Sequence, residues 1–311
     1  MLELAIMIEG QDGLNWPRWK HLARAVEDLG FVGLYRSDHF TNANPPEKDS
    51  LELWVSLTWL ASHTSRIEFG PLVSPVSFRN PVFTARIAAQ VDDLSGGRLT
   101  LGVGAGWQER EHTMFGYDLL DVEARFARFE EALQVINGLL RSKERVTFSG
   151  AYYRLQEAIL LPRPARPGGP PILIGGNGPQ RTLPLVARYA DEWNGVYLPA
   201  GRFAELNARL DELLQTVGRA PNEVRRSLMT NIQFGRHEAE LHALPALQNR
   251  DIDDLIARGI IVGTPGAVVE QLGRLAEAGV QRVMLQWLDQ DDIDRLEAFA
   301  ATVLPQVQGQ R

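Results

Sequence analysis

The sequence predicts an α/β fold, a closed (β/α)8 or TIM barrel, and three observations point to it. Short apolar runs alternate with longer amphipathic runs about eight times along the chain, and repeated strand-to-helix crossovers build parallel sheets. The length of 311 residues suits a barrel of about 250 residues carrying insertions. The residues best equipped for chemistry follow the apolar runs, and a barrel of this kind opens its active site at the carboxyl ends of its strands.

The elements read in order as follows. Residues 4–8 form a continuous apolar run, as a strand buried on both faces requires, and an amphipathic helix over 16–29 stops at Gly30. Strands at 31–35, 67–73 and 99–103 alternate with helices at 51–62, 82–94 and 123–140. The fifth and sixth units are 171–174 with 179–189, and 192–197 with 203–217. Strand seven covers 226–234, and Thr264-Pro265 caps a helix running to 278. Strand eight at 280–288 and a helix at 291–304 close the set, giving a single barrel domain over 1–311.

Two stretches exceed the minimal unit. Residues 145–170, after strand four, alternate around Val146, Phe148, Tyr152, Tyr153 and Leu155 with a Ser149-Gly150 turn, so they read as a hairpin plus a connection. Residues 236–262, after strand seven, are polar and helical, and fit either a lid over the strand ends or a packing or dimer-contact element.

Composition narrows the function. A net charge of −7 without a basic stripe argues against nucleic acid and against anionic membranes as partners. The chain has no cysteine, which removes disulfides, thiolate metal sites and cysteine nucleophiles, and with no signal-peptide pattern at Met1 the expected location is the cytoplasm. The six histidines include no closely spaced ligand pair, so no metal is expected and a metal-dependent hydrolase is disfavoured.

Four motifs carry the chemistry. Asp38-His39-Phe40 lies just beyond the second strand, where an imidazole can exchange a proton near neutral pH. Pro71-Leu72-Val73-Ser74-Pro75 ends the third strand, and its prolines fit either a bulge pressed against a flat ligand or simply a rigid loop. Gly102-Val103-Gly104-Ala105-Gly106-Trp107 lets backbone approach a ligand, and the Glu109, Glu111 and His112 that follow read first as solvated rim residues. Gly175-Gly176-Asn177-Gly178 runs into a helix start, a ready site for a phosphate.

Together Asp38-His39-Phe40, the block from Ser95 to Gly106, the hairpin over 148–161, the loop from Ile174 to Pro179 and Tyr189-Ala190-Asp191-Glu192-Trp193-Asn194 resemble the luciferase-like monooxygenase superfamily. The resemblance spans nearly the whole chain and is closer to the branch that uses the deazaflavin coenzyme F-420. It implies a hydride-transferring oxidoreductase that holds coenzyme F-420, or alternatively FMN, at the strand ends. With FMN and oxygen the reaction would be monooxygenation, and a flavin-binding barrel without turnover is a further alternative. Cofactor contacts carry over to His39, Pro71, Leu72, Ser74, Ala105, Gly106, Gly175, Gly176, Asn177 and Gly178, with a non-proline cis peptide expected at Pro71–Leu72. His39 would be the catalytic proton carrier, with Asp38 orienting it or meeting the ring edge.

Similar sugar-phosphate dehydrogenases carry a glutamate where this chain has Trp107, and a tryptophan near Asn42, Ala43 and Asn44. That departure points away from glucose phosphate, toward an apolar or flat small organic substrate walled by Trp107, Tyr197 and Trp287, with His112 on the same rim. A homodimer is usual among similar proteins.

Overall fold

A computed structural model describes residues 1–307; residues 308–311, the end of the expected domain, lie outside the described residues. Eight parallel strands make the barrel wall: β1 (Glu3–Ile8), β2 (Gly33–Arg36), β3 (Glu68–Pro71), β4 (Leu101–Gly104), β5 (Ile172–Gly175), β6 (Glu192–Val196), β7 (Arg225–Phe234) and β8 (Arg282–Gln286). β1 lies between β2 and β8, pairing Ile6 with Leu34 on one side and with Leu285 on the other. From β8 the order runs through β7, β6 and β5 to β4.

Closure happens between β3 and β4. Phe69 bridges Leu99, and after an interruption at residues 72 and 73 the segment Ser74–Pro75 pairs with Val103 and Gly104. The interruption contains the expected non-proline cis peptide, but at Leu72–Val73 rather than Pro71–Leu72. Pro71 still belongs to β3, where it pairs with Arg36, and Leu72 N donates to Arg36 O at 2.7 Å, so the ladder ends one residue later than the resemblance implied.

The helices are α1 (Trp16–Asp28), α2 (Leu53–His63), α3 (Pro81–Ser95), α4 (Glu109–Phe115), α5 (Val122–Arg141), α6 (Thr182–Tyr189), α7 (Ala200–Thr216), α8 (Glu238–Ala243), α9 (Ile252–Ala257), α10 (Pro265–Glu277) and α11 (Ile293–Val307). Their starts follow local chemistry. The Asn15 and Asp121 side chains accept from backbone N–H groups three residues on, and Asn80 accepts from Val82 N, two residues on, just past a first-turn proline. Helix α6 begins at Thr182 instead of Pro179, because residues 179–181 make a turn first.

Side-chain alternation sorts each strand into two cores. Ala5, Met7, Tyr35, Leu173, Met229 and Met284 fill the barrel, with Leu72 from the interruption joining them, while the outward residues pack under the helices in a larger cluster. The stretch 145–170 forms the hairpin of Val146–Ser149 with Arg154–Ala158. The stretch 236–262 holds α8 and α9 around their own apolar cluster of Leu241, Leu244, Leu247 and Leu255, and ends in a short strand, Ile261–Gly263, that extends the sheet beside β7.

Candidate active site

The carboxyl ends of the strands surround a polar mouth built around His39. Its Nδ1 lies 2.7 Å from Glu111 Oε1, the other oxygen of Glu111 accepts from Phe40 N at 3.0 Å, and no described residue pairs with His39 Nε2. Glu111 is 1% exposed and comes from α4, a short helix that sequence reasoning left as rim loop. Burial works against a charged imidazole here, but the Glu111 hydrogen bond and charge, with smaller help from Glu9 and Asp38, hold the His39 pKa above its ordinary value. Trp107, 62% exposed, stands edge-on to the His39 ring at 5.6 Å between centroids.

Asp38 does not orient His39. Its carboxylate takes the Ser74 hydroxyl at 2.8 Å and the Arg79 guanidinium at 2.5 Å, and Arg79 also reaches Glu52. This buried pair ties the loop after β2 to the interruption after β3, and it commits the Ser74 hydroxyl to Asp38. Successive side chains point in different directions, which is why the acid next to His39 in sequence serves another partner.

The glycine loop after β5 has the features of an anion cradle. Gly176 adopts φ of 127°, a conformation that an L side chain resists, and Trp193 Nε1 donates to Gly176 O at 2.9 Å. Among the described residues, no acceptor meets the backbone N–H groups of Asn177, Gly178, Gln180 and Arg181, which lead into α6. The Asn177 side chain is spent on β6, donating to Val196 O at 2.7 Å and accepting from Val196 N at 2.9 Å, so only its backbone is left for a ligand. Ala105 and Gly106 continue β4 toward the mouth; Gly106 turns at φ of 88°, and a Cβ there would come within 3.1 Å of Ser77 Oγ. Glycines at 175, 176 and 178, unpaired N–H groups and a helix start suit the phosphate tail of a flavin-like cofactor.

Two predicted wall residues are elsewhere. Trp287 directly follows the inward-facing Gln286, so it points out of the barrel, where it is 4% exposed and packs edge-on to Phe299. His112 is 2% exposed with both nitrogens engaged, Nδ1 with Gln108 O and Nε2 with Ser77 Oγ, and it stacks obliquely on Phe78 behind the mouth. Tyr197 does reach the mouth: its hydroxyl hydrogen-bonds Gln286. Burial first, and the nearby charge of Glu9 second, push that phenol's pKa up.

Sequence reasoning missed the polar network that frames the mouth. Gln286 Nε2 donates to Glu9 Oε1 at 2.6 Å, Gln11 Nε2 donates to Glu9 Oε2 at 2.8 Å, and Ser37 Oγ donates to Gln11 Oε1 at 2.7 Å. Asn231 and Gln233 extend it from β7. Their positions at strand ends were the available signal.

A parallel eightfold barrel with a half-paired histidine and a glycine loop of unpaired N–H groups at the strand ends has the layout of a barrel enzyme. Residues 6–249 match the luciferase-like monooxygenase family, and the chain belongs to that family. An F420-dependent glucose-6-phosphate dehydrogenase of Intrasporangium calvum is 30% identical, with 93% of this chain and 94% of that protein covered. An F420-dependent hydroxymycolic acid dehydrogenase of Mycobacterium tuberculosis is 28% identical over 92% of this chain and 83% of its own. In fold, the chain superimposes with a TM-score of 0.84 on an F420-dependent secondary alcohol dehydrogenase bound to an F420-acetone adduct, at 19% identity, covering 98% of this chain and 99% of that one.

Proposed function

We propose that this chain is a coenzyme F-420-dependent oxidoreductase that exchanges a hydride with a small organic alcohol or carbonyl compound. The observation that carries the reading is the pairing, on one rim, of a histidine with an unpartnered nitrogen and a glycine loop with unpartnered N–H groups. The names of the two relatives point to the same cofactor.

When bound, coenzyme F-420 supplies a two-electron hydride centre on a planar ring. The backbone of 176–181 would hold its phosphate, and Leu72, Val73 and Gly104 to Gly106 would form the surface beneath the ring. His39 Nε2 takes the hydroxyl proton of an alcohol, or returns one to a carbonyl oxygen. Trp107 and Tyr197 wall the substrate side, and with an indole at the rim the preferred substrate is apolar or flat rather than a sugar phosphate. Residues 236–262 serve as a cover whose end is fixed to β7, where Thr230 donates to Gly259 O.

The same reading makes the protein a cytoplasmic homodimer joined through α2 and α3, where Val55, Phe83 and Leu94 are each more than half exposed on neighbouring helices; sedimentation tests the assembly. No helix among the described residues is long and apolar enough to cross a membrane.

The deciding experiment is titration of the protein with coenzyme F-420 and with FMN, followed by turnover of a panel of alcohols. Binding of F-420, with His39→Ala keeping affinity within about tenfold while losing at least about 100-fold in rate, is the expected outcome. Binding of FMN alone refutes the cofactor, and unchanged turnover removes His39.

A further inference from the structure

Two donors converge on one buried carboxylate beside the mouth. Phe40 N can only donate, so it claims Glu111 Oε2 as an acceptor at 3.0 Å, and the remaining oxygen faces His39 Nδ1 at 2.7 Å. A carboxylate offers acceptors on both oxygens, whereas an amide offers an acceptor on one side and donors on the other. Both bonds go to consecutive residues of the loop after β2, so the ring is fixed in direction as well as in protonation pattern. We propose that Glu111 is a positioning residue that keeps a hydrogen on His39 Nδ1 in both charge states and so confines proton exchange to Nε2.

This inference rests on the reading of His39 as the proton carrier and adds what makes it one. The nitrogen left for exchange is the one without a described partner, and Trp107 stands beside the same ring. The charged groups facing the ring are Glu111 from α4, Glu9 at the end of β1, and Asp38, whose charge is shared with Arg79. Of these, Glu111 alone touches the ring, and its interaction overrides the burial that opposes a charged imidazole. Helix α4 is itself fixed to the loop it orients, since Gln108 at its start donates to Thr41 O at 2.8 Å and Arg110 donates to Asn42 O at 2.8 Å.

The test is long-range 15N–1H spectroscopy of His39 in the cofactor-free protein, for the wild type, E111Q and E111D, together with pH–rate profiles of the loaded enzyme. In the wild type, neutral His39 carries its hydrogen on Nδ1. In E111Q the single amide oxygen stays with Phe40 N and the amide NH2 faces Nδ1. The hydrogen therefore moves to Nε2, and the His39 pKa falls by at least about one unit. The rate falls at least about tenfold, with KM within about threefold and the histidine limb of the profile displaced toward acid. E111D keeps the charge with less reach and falls between the two.

A wild-type spectrum with neutral hydrogen on Nε2 overturns the proposal, as does an E111Q protein with unchanged tautomer and pKa. Should E111Q not fold, the wild-type tautomer still decides. Because the spectra need no cofactor, loss of the F-420 reading leaves them intact, while loss of this inference appears in them directly.

Discussion

The seam that closes the barrel admits no side chain at two positions, and adding one methyl group there should open it. A Cβ on Gly70 would sit 2.0 Å from Thr100 O, and one on Gly102 would sit 2.1 Å from Pro71 O, where real Cβ atoms essentially never come closer than 3.0 Å. In both cases the obstacle is backbone, so β3 and β4 must separate by about 1 Å. Beside Gly70 two hydrogen bonds cross that seam, Thr100 N to Phe69 O at 2.8 Å and Phe69 N to Arg98 O at 3.1 Å, and such a retreat takes both beyond useful range. Overpacking costs about 1–3 kcal/mol and each buried group left unpaired adds about 1–3 kcal/mol, so Gly70→Ala should lose at least about 3 kcal/mol. That corresponds to a fall in Tm of about 5 °C in a chain of this size. Calorimetry, with denaturant midpoints at constant m, measures it. Gly201→Ala in α7, where nothing lies within 4 Å, is the control and should be neutral or stabilising by up to about 1 kcal/mol. Because both glycines guard one seam, Gly70→Ala and Gly102→Ala together should cost less than the sum of the two. A Gly70→Ala protein within about 1 kcal/mol of wild type would refute this account of closure.

Two further outcomes follow from the site. Trp107→Ala should raise substrate KM at least about tenfold, since removing an indole wall forfeits about 1.5–3 kcal/mol of apolar contact, whereas Trp287→Phe should leave KM within about twofold and lower only stability; steady-state kinetics separates the two. Folding should also sense His39: its pKa is raised in the folded state, so its stabilising contribution is complete below the unfolded value of about 6.5 and is lost as pH rises through the higher folded value. The stability gap between wild type and His39→Gln should therefore narrow from pH 5.5 to pH 8.5 in denaturant titrations, and a widening gap would contradict the assigned direction.

The barrel was legible because each unit repeats one pattern that local physics enforces. A continuous apolar run suits a strand covered on both faces, and cap residues such as Asn15, Asn80 and Asp121 mark where the next helix starts. That same continuity hides the phase of a strand. In the run 280–288 nothing distinguishes inward from outward positions, so Trp287 reads as a wall of the mouth, although its neighbour Gln286 is the residue that faces inward. Glu111 was illegible for a different reason: it meets His39 across 72 positions of chain, and nothing in either segment names the other. Asp38 misled through adjacency, because a neighbour in sequence is rarely a neighbour on the same face.

Two buried charge sites, one at each end of the barrel, are paired in different ways. At the amino ends of the strands, Arg282 is fully buried, with Nε donating to Glu3 at 2.8 Å and Nη1 reaching Tyr35 OH at 2.7 Å and Glu68 at 2.8 Å. Burial opposes that guanidinium's charge, but Tyr35, Glu192 and Glu68 outweigh it and hold its pKa above the ordinary arginine range, so the group stays charged and paired at any working pH. At the carboxyl ends the histidine is set differently: one nitrogen is held by a buried carboxylate and the other has no described partner. A group paired on every side stabilises but cannot exchange, while a group paired on one side is oriented and still has a proton to give. The Asp38–Arg79 pair beside the mouth is of the first kind and His39 of the second, so on the proposed reading His39 is the group at this rim with a nitrogen left for a substrate.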